Sequence, residues 1–196
     1  YYGIPLVITV VLSLFPSLVR GHLRIPSNHD ELAYHLAADT FCHGRLANPT
    51  PSGWEHFESF HINLVPAYCS KYQPGMGLIL ALGQVLGHTY FGVMMALLVA
   101  TLSMSWMYRY WLPLRWAFLA SILSCFPLCS NWGDFYFVGG PLAVIASAVL
   151  FAIAKQLERR SATILDGALL AGCLVLFFWT RPFEGGLIAA LVGIPI

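Results

Sequence analysis

Apolar and polar residues are strongly segregated along this chain. Five apolar runs are long enough to cross a bilayer as helices, and a sixth begins at Pro182. A spanning helix needs about 20 mostly apolar residues, with about 17 to 25 tolerated. The pattern therefore predicts an all-α, polytopic transmembrane helical bundle. The predicted spanning helices are 3–19, 90–108, 114–130, 137–154 and 163–180.

One long polar segment interrupts this pattern after the first predicted helix. It covers residues 20–74 and holds five of the nine acidic residues and six of the seven histidines. Because the ionisable groups are concentrated there, we expect the chemistry of the protein in this loop. The predicted transmembrane domain has four parts: 3–19, the first spanning helix; 20–74, an extracytoplasmic catalytic loop; 75–87, a short re-entrant or interfacial helix; and 90–196, further spanning helices.

The segment 75–87 decides the predicted topology. It is apolar but too short to span, and it contains four glycines. If it does not cross, the basic residues of the later turns face the cytoplasm, as the positive-inside rule requires, whereas Arg20 and Arg24 are exceptions to the rule. The basic residues in question are Arg109, Arg115, Lys155, Arg159 and Arg160.

Composition supports a membrane protein. The chain is 58% hydrophobic and 10% charged, with a mean hydropathy of +0.72, whereas soluble domains carry about 25% charged residues. The lipid bilayer is therefore an expected partner, and a net charge of +1 argues against nucleic acid. The chain begins without Met and ends within an apolar run that starts at Leu187. We interpret it as the N-terminal part of a longer membrane domain.

Within the loop, residues 27–44 predict an amphipathic helix at the membrane surface. Ser27 can cap this helix, with Asp30 completing a capping box, and Gly44 can end it. Leu32 and Leu36 predict an apolar stripe. Residues spaced four apart predict a polar stripe that faces a cavity: Glu31, His35 and Asp39.

Three charged positions in or near this loop suggest chemistry. The adjacent acids Asp30 and Glu31 could act as a general base or bind a cation, or could simply favour the helix N-terminus. Lys71 could hold a lipid phosphate, or its side chain could reach the interface from an apolar surface. Arg181 could form an ion pair with Glu184 that stabilises a turn, or it could contribute to the same outer cavity as the loop.

The loop histidines and cysteines leave two further possibilities open. No His-Glu-x-x-His zinc motif occurs, so we predict no metal ligands and no certain cofactor, although a divalent metal remains an alternative. Cys42 and Cys69 could form a disulfide if the loop faces an oxidising compartment.

Two motifs in the loop resemble a known family. Asp30-Glu31-Leu32-Ala33-Tyr34 follows the first spanning helix, and Lys71-Tyr72-Gln73-Pro74 leads into an apolar helix. This order resembles the polyprenyl-phosphate-dependent membrane glycosyltransferases of the GT-C fold, in their protein-mannosyltransferase and aminoarabinose-transferase branch.

The resemblance implies a GT-C-like fold in the bacterial inner membrane. Such enzymes transfer a sugar from a polyprenyl-phosphate donor to a lipid, glycan or protein acceptor on the extracytoplasmic face. Asp30, with Glu31, would be catalytic, and the donor phosphate would be held by Lys71, Tyr72 and Arg181. Four further residues are candidates for lining the same cavity: Tyr34, His35, Glu58 and His61.

A membrane transporter with a polar extracytoplasmic gating loop is the alternative. Transporters usually carry functional charges near the bilayer midplane, often on broken helices. The interiors of the predicted spans carry no charge. The sequence therefore favours the enzyme.

Overall fold

The computed structural model describes residues 1–193 and is predominantly helical, with 70% helix and 3% strand. The last three residues of the predicted region 90–196 lie outside the described part. The predicted all-α class is confirmed. In chain order the helices are α1 Gly3–Arg20, α2 His29–Cys42, α3 Pro74–Val85, α4 Tyr90–Trp111, α5 Leu114–Trp132, α6 Gly139–Leu157, α7 Ile164–Thr180 and α8 Pro182–Gly193.

Three of these helices are long and apolar enough to span a membrane, namely α1, α4 and α6. This supports a membrane protein. The helices α5 and α7 coincide with predicted spans, but α7 has only 17 residues, the lower limit for crossing. Their spanning role, the GT-C architecture and the side of the membrane that each end faces stay predictions.

Side-chain contacts show that the helices α1 and α4 run in opposite directions. The hydroxyl groups of Thr9 in α1 and Thr101 in α4 lie 2.8 Å apart, and the Tyr90 hydroxyl donates to the Ser13 carbonyl at 2.6 Å. Arg109, near the end of α4, lies 5.4 Å from the Tyr1 ring centroid. The helices α1 and α4 are therefore antiparallel, and α4 begins at the end of the bundle where α1 finishes.

It follows that the segment between α1 and α4 returns to the same end of the bundle. The predicted re-entrant or interfacial position of the short helix α3 stays a prediction. We call this end, which also carries Asp134 and Arg181, the loop end. The predicted basic residues lie at the opposite end, where Arg160 donates to Asp166 at 2.6 Å.

The helix α2 packs into the core through small residues, and its predicted position at the membrane surface stays a prediction. Ala33 and Ala38 are fully buried, whereas Leu32, predicted to be on the apolar stripe, is 49% exposed. A Cβ atom added to Gly77 of α3 would lie 2.6 Å from Ala37 Cβ. Alanine and glycine allow this close approach but give a weak hydrophobic signal, so the sequence pattern did not reveal this buried face.

The predicted cap of α2 is also shifted by one residue. Asn28, not Ser27, is the N-cap. Glu31, not Asp30, is the third helical residue, and its carboxylate accepts a hydrogen bond from the Asn28 backbone N–H at 3.3 Å. This shift leaves the Asp30 carboxylate free of capping.

After α2, a compact loop crosses the loop end. It contains a 3-10 helix, Trp54–His56, and two short antiparallel strands, β1 Ile62–Asn63 and β2 Cys69–Ser70. Asn48 and Tyr68 exchange backbone hydrogen bonds of 2.9 Å in both directions. Cys42 and Cys69 are free thiols, so the alternative of a disulfide between them is not realised.

Candidate active site

Asp30 lies in the first turn of α2 with its side chain 36% exposed and joins two loop side chains. The Tyr72 hydroxyl donates to Asp30 Oδ1 at 2.6 Å. His61 Nδ1 lies 2.8 Å from the Tyr72 hydroxyl oxygen, and His61 Nε2 lies 2.9 Å from Asp30 Oδ1. We call these three residues the Asp30 cluster.

The two short strands bring the cluster together. His61 precedes β1 and Tyr72 follows β2, and the Lys71 N–H donates to the His61 carbonyl at 3.0 Å. The His61 and Tyr72 rings stack with centroids 5.4 Å apart. The strand pairing therefore presents both rings to the N-terminal turn of α2.

Two phenols near Asp30 keep their protons. Burial, and then the Asp30 charge, raises the pKa of Tyr34 to about 12. Burial, and then the hydrogen bond to Asp30, also raises the pKa of Tyr72. The two rings lie 4.7 Å apart. At neutral pH both phenols are therefore neutral: Tyr72 donates its one hydroxyl proton to Asp30, whereas the Tyr34 hydroxyl can donate to an anion or to a sugar oxygen.

A cavity of about 360 Å³ opens beside Tyr72 at the loop end. Tyr34 and Tyr72 line one side, and Thr180 and Arg181, from the end of α7, line another. Arg181 donates to Glu184 at 3.0 Å, and both side chains are about half exposed. The predicted ion pair of Arg181 with Glu184 and its predicted place in the cavity are thus compatible. The cavity combines phenol and guanidinium donors, which suit a phosphate.

An apolar groove of about 450 Å³ lies on the other side of the contact between α3 and α7. Gly75 and Trp179 line the groove, whereas the next residues, Met76 and Thr180, line the polar cavity. The two helices touch here, because a Cβ atom on Gly75 would lie 2.6 Å from the Trp179 carbonyl oxygen. An apolar groove and a polar cavity therefore meet at one helix contact.

Glu31 is not available to a substrate, which corrects its predicted catalytic role. Its side chain is fully buried. It accepts backbone N–H bonds from Ser27 at 2.9 Å and Tyr136 at 3.2 Å, and Arg24 lies 3.6 Å away. Adjacent residues on a helix point about 100° apart. Glu31 therefore holds the loop to the bundle, whereas Asp30 contacts Tyr72, which lines the cavity.

His35 also lies away from the Asp30 cluster. Its ring packs edge-on against Tyr136 with centroids 4.3 Å apart, and burial lowers its pKa. His35 is therefore favoured as a neutral core side chain, and its predicted role in lining the cavity is wrong.

Lys71 and Glu58 line a different recess, which corrects their predicted positions. The Lys71 ammonium donates to the Phe60 carbonyl at 2.9 Å. Tyr72 contacts Asp30, whereas its neighbour Lys71 lines a loop groove that it shares with Glu58.

Sequence reasoning missed several residues that line the cavity. Trp132 and the pair Gly139-Gly140 face it, and Gly140 packs directly on the Trp132 ring. Two adjacent glycines opening an apolar helix were the available signal. Within residues 1–193, no three His, Cys, Asp or Glu side chains come together in a way that could hold a metal ion.

Comparisons with known proteins leave the site without a family context. No protein-family model matches the chain, and searches of curated proteins and of solved structures found no significant match.

Proposed function

We propose that the protein is a membrane glycosyltransferase that moves a sugar from a polyprenyl-phosphate donor to a hydroxyl group of an acceptor. One observation carries the proposal: an apolar groove and a donor-rich polar cavity meet beside an accessible carboxylate. A lipid-linked sugar phosphate has this same division into a hydrocarbon chain and a charged head.

In the proposed reaction the acceptor oxygen attacks the anomeric carbon of the donor sugar. The bond between that carbon and the phosphate oxygen breaks, and its electron pair leaves with the phosphate. Asp30 takes the acceptor proton, and His61 can pass it to solvent. Arg181, which lines the cavity, is the group available to stabilise the charge on the departing phosphate.

The transporter remains the competing proposal, and no observation in the described residues favours it. The charged side chains of the spanning candidates α1, α4 and α6 lie near helix ends: Arg20, Arg109 and Lys155.

Transfer of label in membranes tests the proposed function. Membranes that contain the full-length protein would be given polyprenyl-phosphate donors with radiolabelled sugars. We expect label in a new, covalently linked product, which is absent from membranes lacking the protein. Flux of a solute across sealed vesicles without any labelled product would instead support the transporter.

Filling the apolar groove should weaken donor binding. Gly172 lines the groove, and a Cβ atom there would meet nothing within 4 Å, so Gly172→Leu occupies the groove without a backbone clash. We expect the KM for the lipid donor to rise about 10-fold with little change in melting temperature, because part of the lipid-contacting surface is lost. Initial rates at varied donor concentration measure this.

The matched control is Gly167→Leu. Gly167 lies on the same helix and is equally open, but it does not line the groove. An unchanged donor KM in Gly172→Leu, or an equal rise in both variants, would count against the groove as the site of the lipid chain.

Removing the Arg181 charge should slow transfer. A charge-assisted hydrogen bond contributes about 1.5–3 kcal/mol, so Arg181→Gln should lower kcat/KM about 10- to 100-fold. Arg181→Lys should recover part of this loss. Arg159→Gln removes an exposed charge at the opposite end and serves as the control. Equal activity of Arg181→Gln and the control would remove Arg181 from the phosphate site.

A further inference from the structure

The groove that contains Lys71 is separate from the Asp30 cluster and has no role in the reaction proposed above. It has a volume of about 480 Å³, which lies within the range of about 300–1,000 Å³ usual for small-molecule sites. The side chains that could bind a ligand are Trp54, Glu58, Asn63 and Lys71.

The chain forms this groove on an ordered scaffold. The strands β1 and β2 hold one wall, and the Thr50 hydroxyl donates to the Leu64 carbonyl at 2.8 Å. Gly53, with a φ of 72°, turns the chain into the 3-10 helix that carries Trp54. Such a left-handed turn favours glycine. The turn therefore sets the backbone position of Trp54 at the groove.

The side chains around the groove form a set that suits a sugar. Trp54 is half-buried and offers a flat apolar surface for the C–H face of a pyranose ring. Glu58 is exposed and makes no hydrogen bond or ion pair within residues 1–193. A carboxylate can accept hydrogen bonds from two neighbouring hydroxyl groups, while Asn63 and Lys71 can donate to ring or hydroxyl oxygens.

The charge of the groove argues against a phosphate as the ligand. Glu58 lies in the same groove as Lys71, so the negative carboxylate offsets the only cation among the groove residues. A neutral sugar makes use of both groups. A phosphate would be repelled by Glu58.

The groove also adjoins the proposed reaction centre. Phe60 and Lys71 line it, and their chain neighbours His61 and Tyr72 belong to the Asp30 cluster. The groove and the Asp30 cluster are therefore formed by directly adjacent residues of the chain. Tyr72 also lines the Arg181 cavity, so the cluster adjoins both recesses.

We propose that this groove binds a neutral hexopyranose unit of the acceptor, so that the acceptor is a glycan or a glycolipid. The assignment of this sugar to the acceptor rests on the proposed glycosyltransferase function. Binding of the sugar itself can be tested without any transfer.

Saturation-transfer NMR tests the binding directly. The full-length protein in a detergent without sugar head groups would be titrated with methyl α-mannopyranoside, methyl β-glucopyranoside and methyl β-galactopyranoside. We expect a saturable signal from at least one glycoside. Its half-saturation concentration should rise about 10-fold or more in Glu58→Gln and in Trp54→Ala, since each removes a major contact.

Two neighbouring residues provide matched controls. Glu55 and Phe57 are exposed residues of the same stretch that do not line the groove. Glu55→Gln and Phe57→Ala should bind like the wild type. Because Glu58 is exposed, we expect Glu58→Gln to fold. This variant therefore still tests the groove if Trp54→Ala fails to fold. No saturable signal, or signals that the groove variants leave unchanged, would overturn the inference.

Transfer assays on the same variants separate the two proposals. Glycoside binding that depends on Glu58, without transfer from any donor, would refute the proposed function and retain the sugar site. Transfer that is insensitive to Glu58→Gln at low acceptor concentration would retain the enzyme and refute the acceptor subsite. If both proposals hold, Glu58→Gln should raise the KM for the acceptor about 10-fold and leave the donor KM unchanged.

Discussion

Asp30→Asn should lower the rate of sugar transfer by about 10²- to 10⁴-fold, the usual contribution of a general base. The amide keeps the size of the carboxylate and can still accept the bond from Tyr72, but it cannot take a proton. Initial rates with a radiolabelled lipid donor measure the loss. The fold should survive, because Asp30 is exposed and makes no capping bond.

The control for this result is Asp39→Asn. Asp39 is an exposed acid on the same helix, and it accepts a hydrogen bond from Gln84 at 3.2 Å, remote from the cluster. The Asp39→Asn variant should transfer sugar at the wild-type rate. If Asp30→Asn also transfers at that rate while being equally well expressed, Asp30 is not the base, and the groove and cavity would need another one.

The bounds of the apolar helices were largely predictable from the sequence. Each predicted span begins and ends within a few residues of the observed helix, because long apolar runs stop at turns such as Leu112-Pro113. The packing of α2 was not predictable in this way. Its buried face includes Ala33, Ala37 and Ala38, whose small side chains carry little hydrophobic signal, and Ala37 fits closely against Gly77 of α3.

The candidate site was predictable as individual residues and not as a group. Asp30, His61, Tyr72 and Arg181 were all expected to serve it. Their grouping depends on the pairing of β1 with β2 and on the contact of α3 with α7, which no local pattern reveals. Sequence also could not decide which member of the pairs Asp30-Glu31 and Lys71-Tyr72 would face the cavity. A shift of one residue in the helix cap reverses the assignment for Asp30 and Glu31, and the bend that follows β2 decides it for Lys71 and Tyr72.

Glu31→Ala should destabilise the fold, in contrast to the change at its neighbour. The buried carboxylate accepts backbone N–H bonds from Ser27, Asn28 and Tyr136 and lies beside Arg24. Its removal leaves these backbone donors unpaired and takes from Arg24 one of its two carboxylate partners, the other being Asp134 at 3.6 Å. Breaking a buried ion pair costs about 3–5 kcal/mol. We expect the melting temperature of the detergent-purified protein to fall by about 10 °C. The melting temperature of Glu31→Gln, which keeps one acceptor oxygen, should fall less.

The comparison of the two adjacent acids separates catalysis from architecture. Glu55→Ala, a change at an exposed acid in the same loop, should leave the melting temperature unchanged. Per folded molecule, Glu31→Gln should retain most of its transfer rate, whereas Asp30→Asn should retain its melting temperature and lose its rate. A stable Glu31→Ala protein that has lost transfer would contradict this division. In that case the carboxylate that holds the loop to the bundle would also have to take part in the chemistry, which its complete burial opposes.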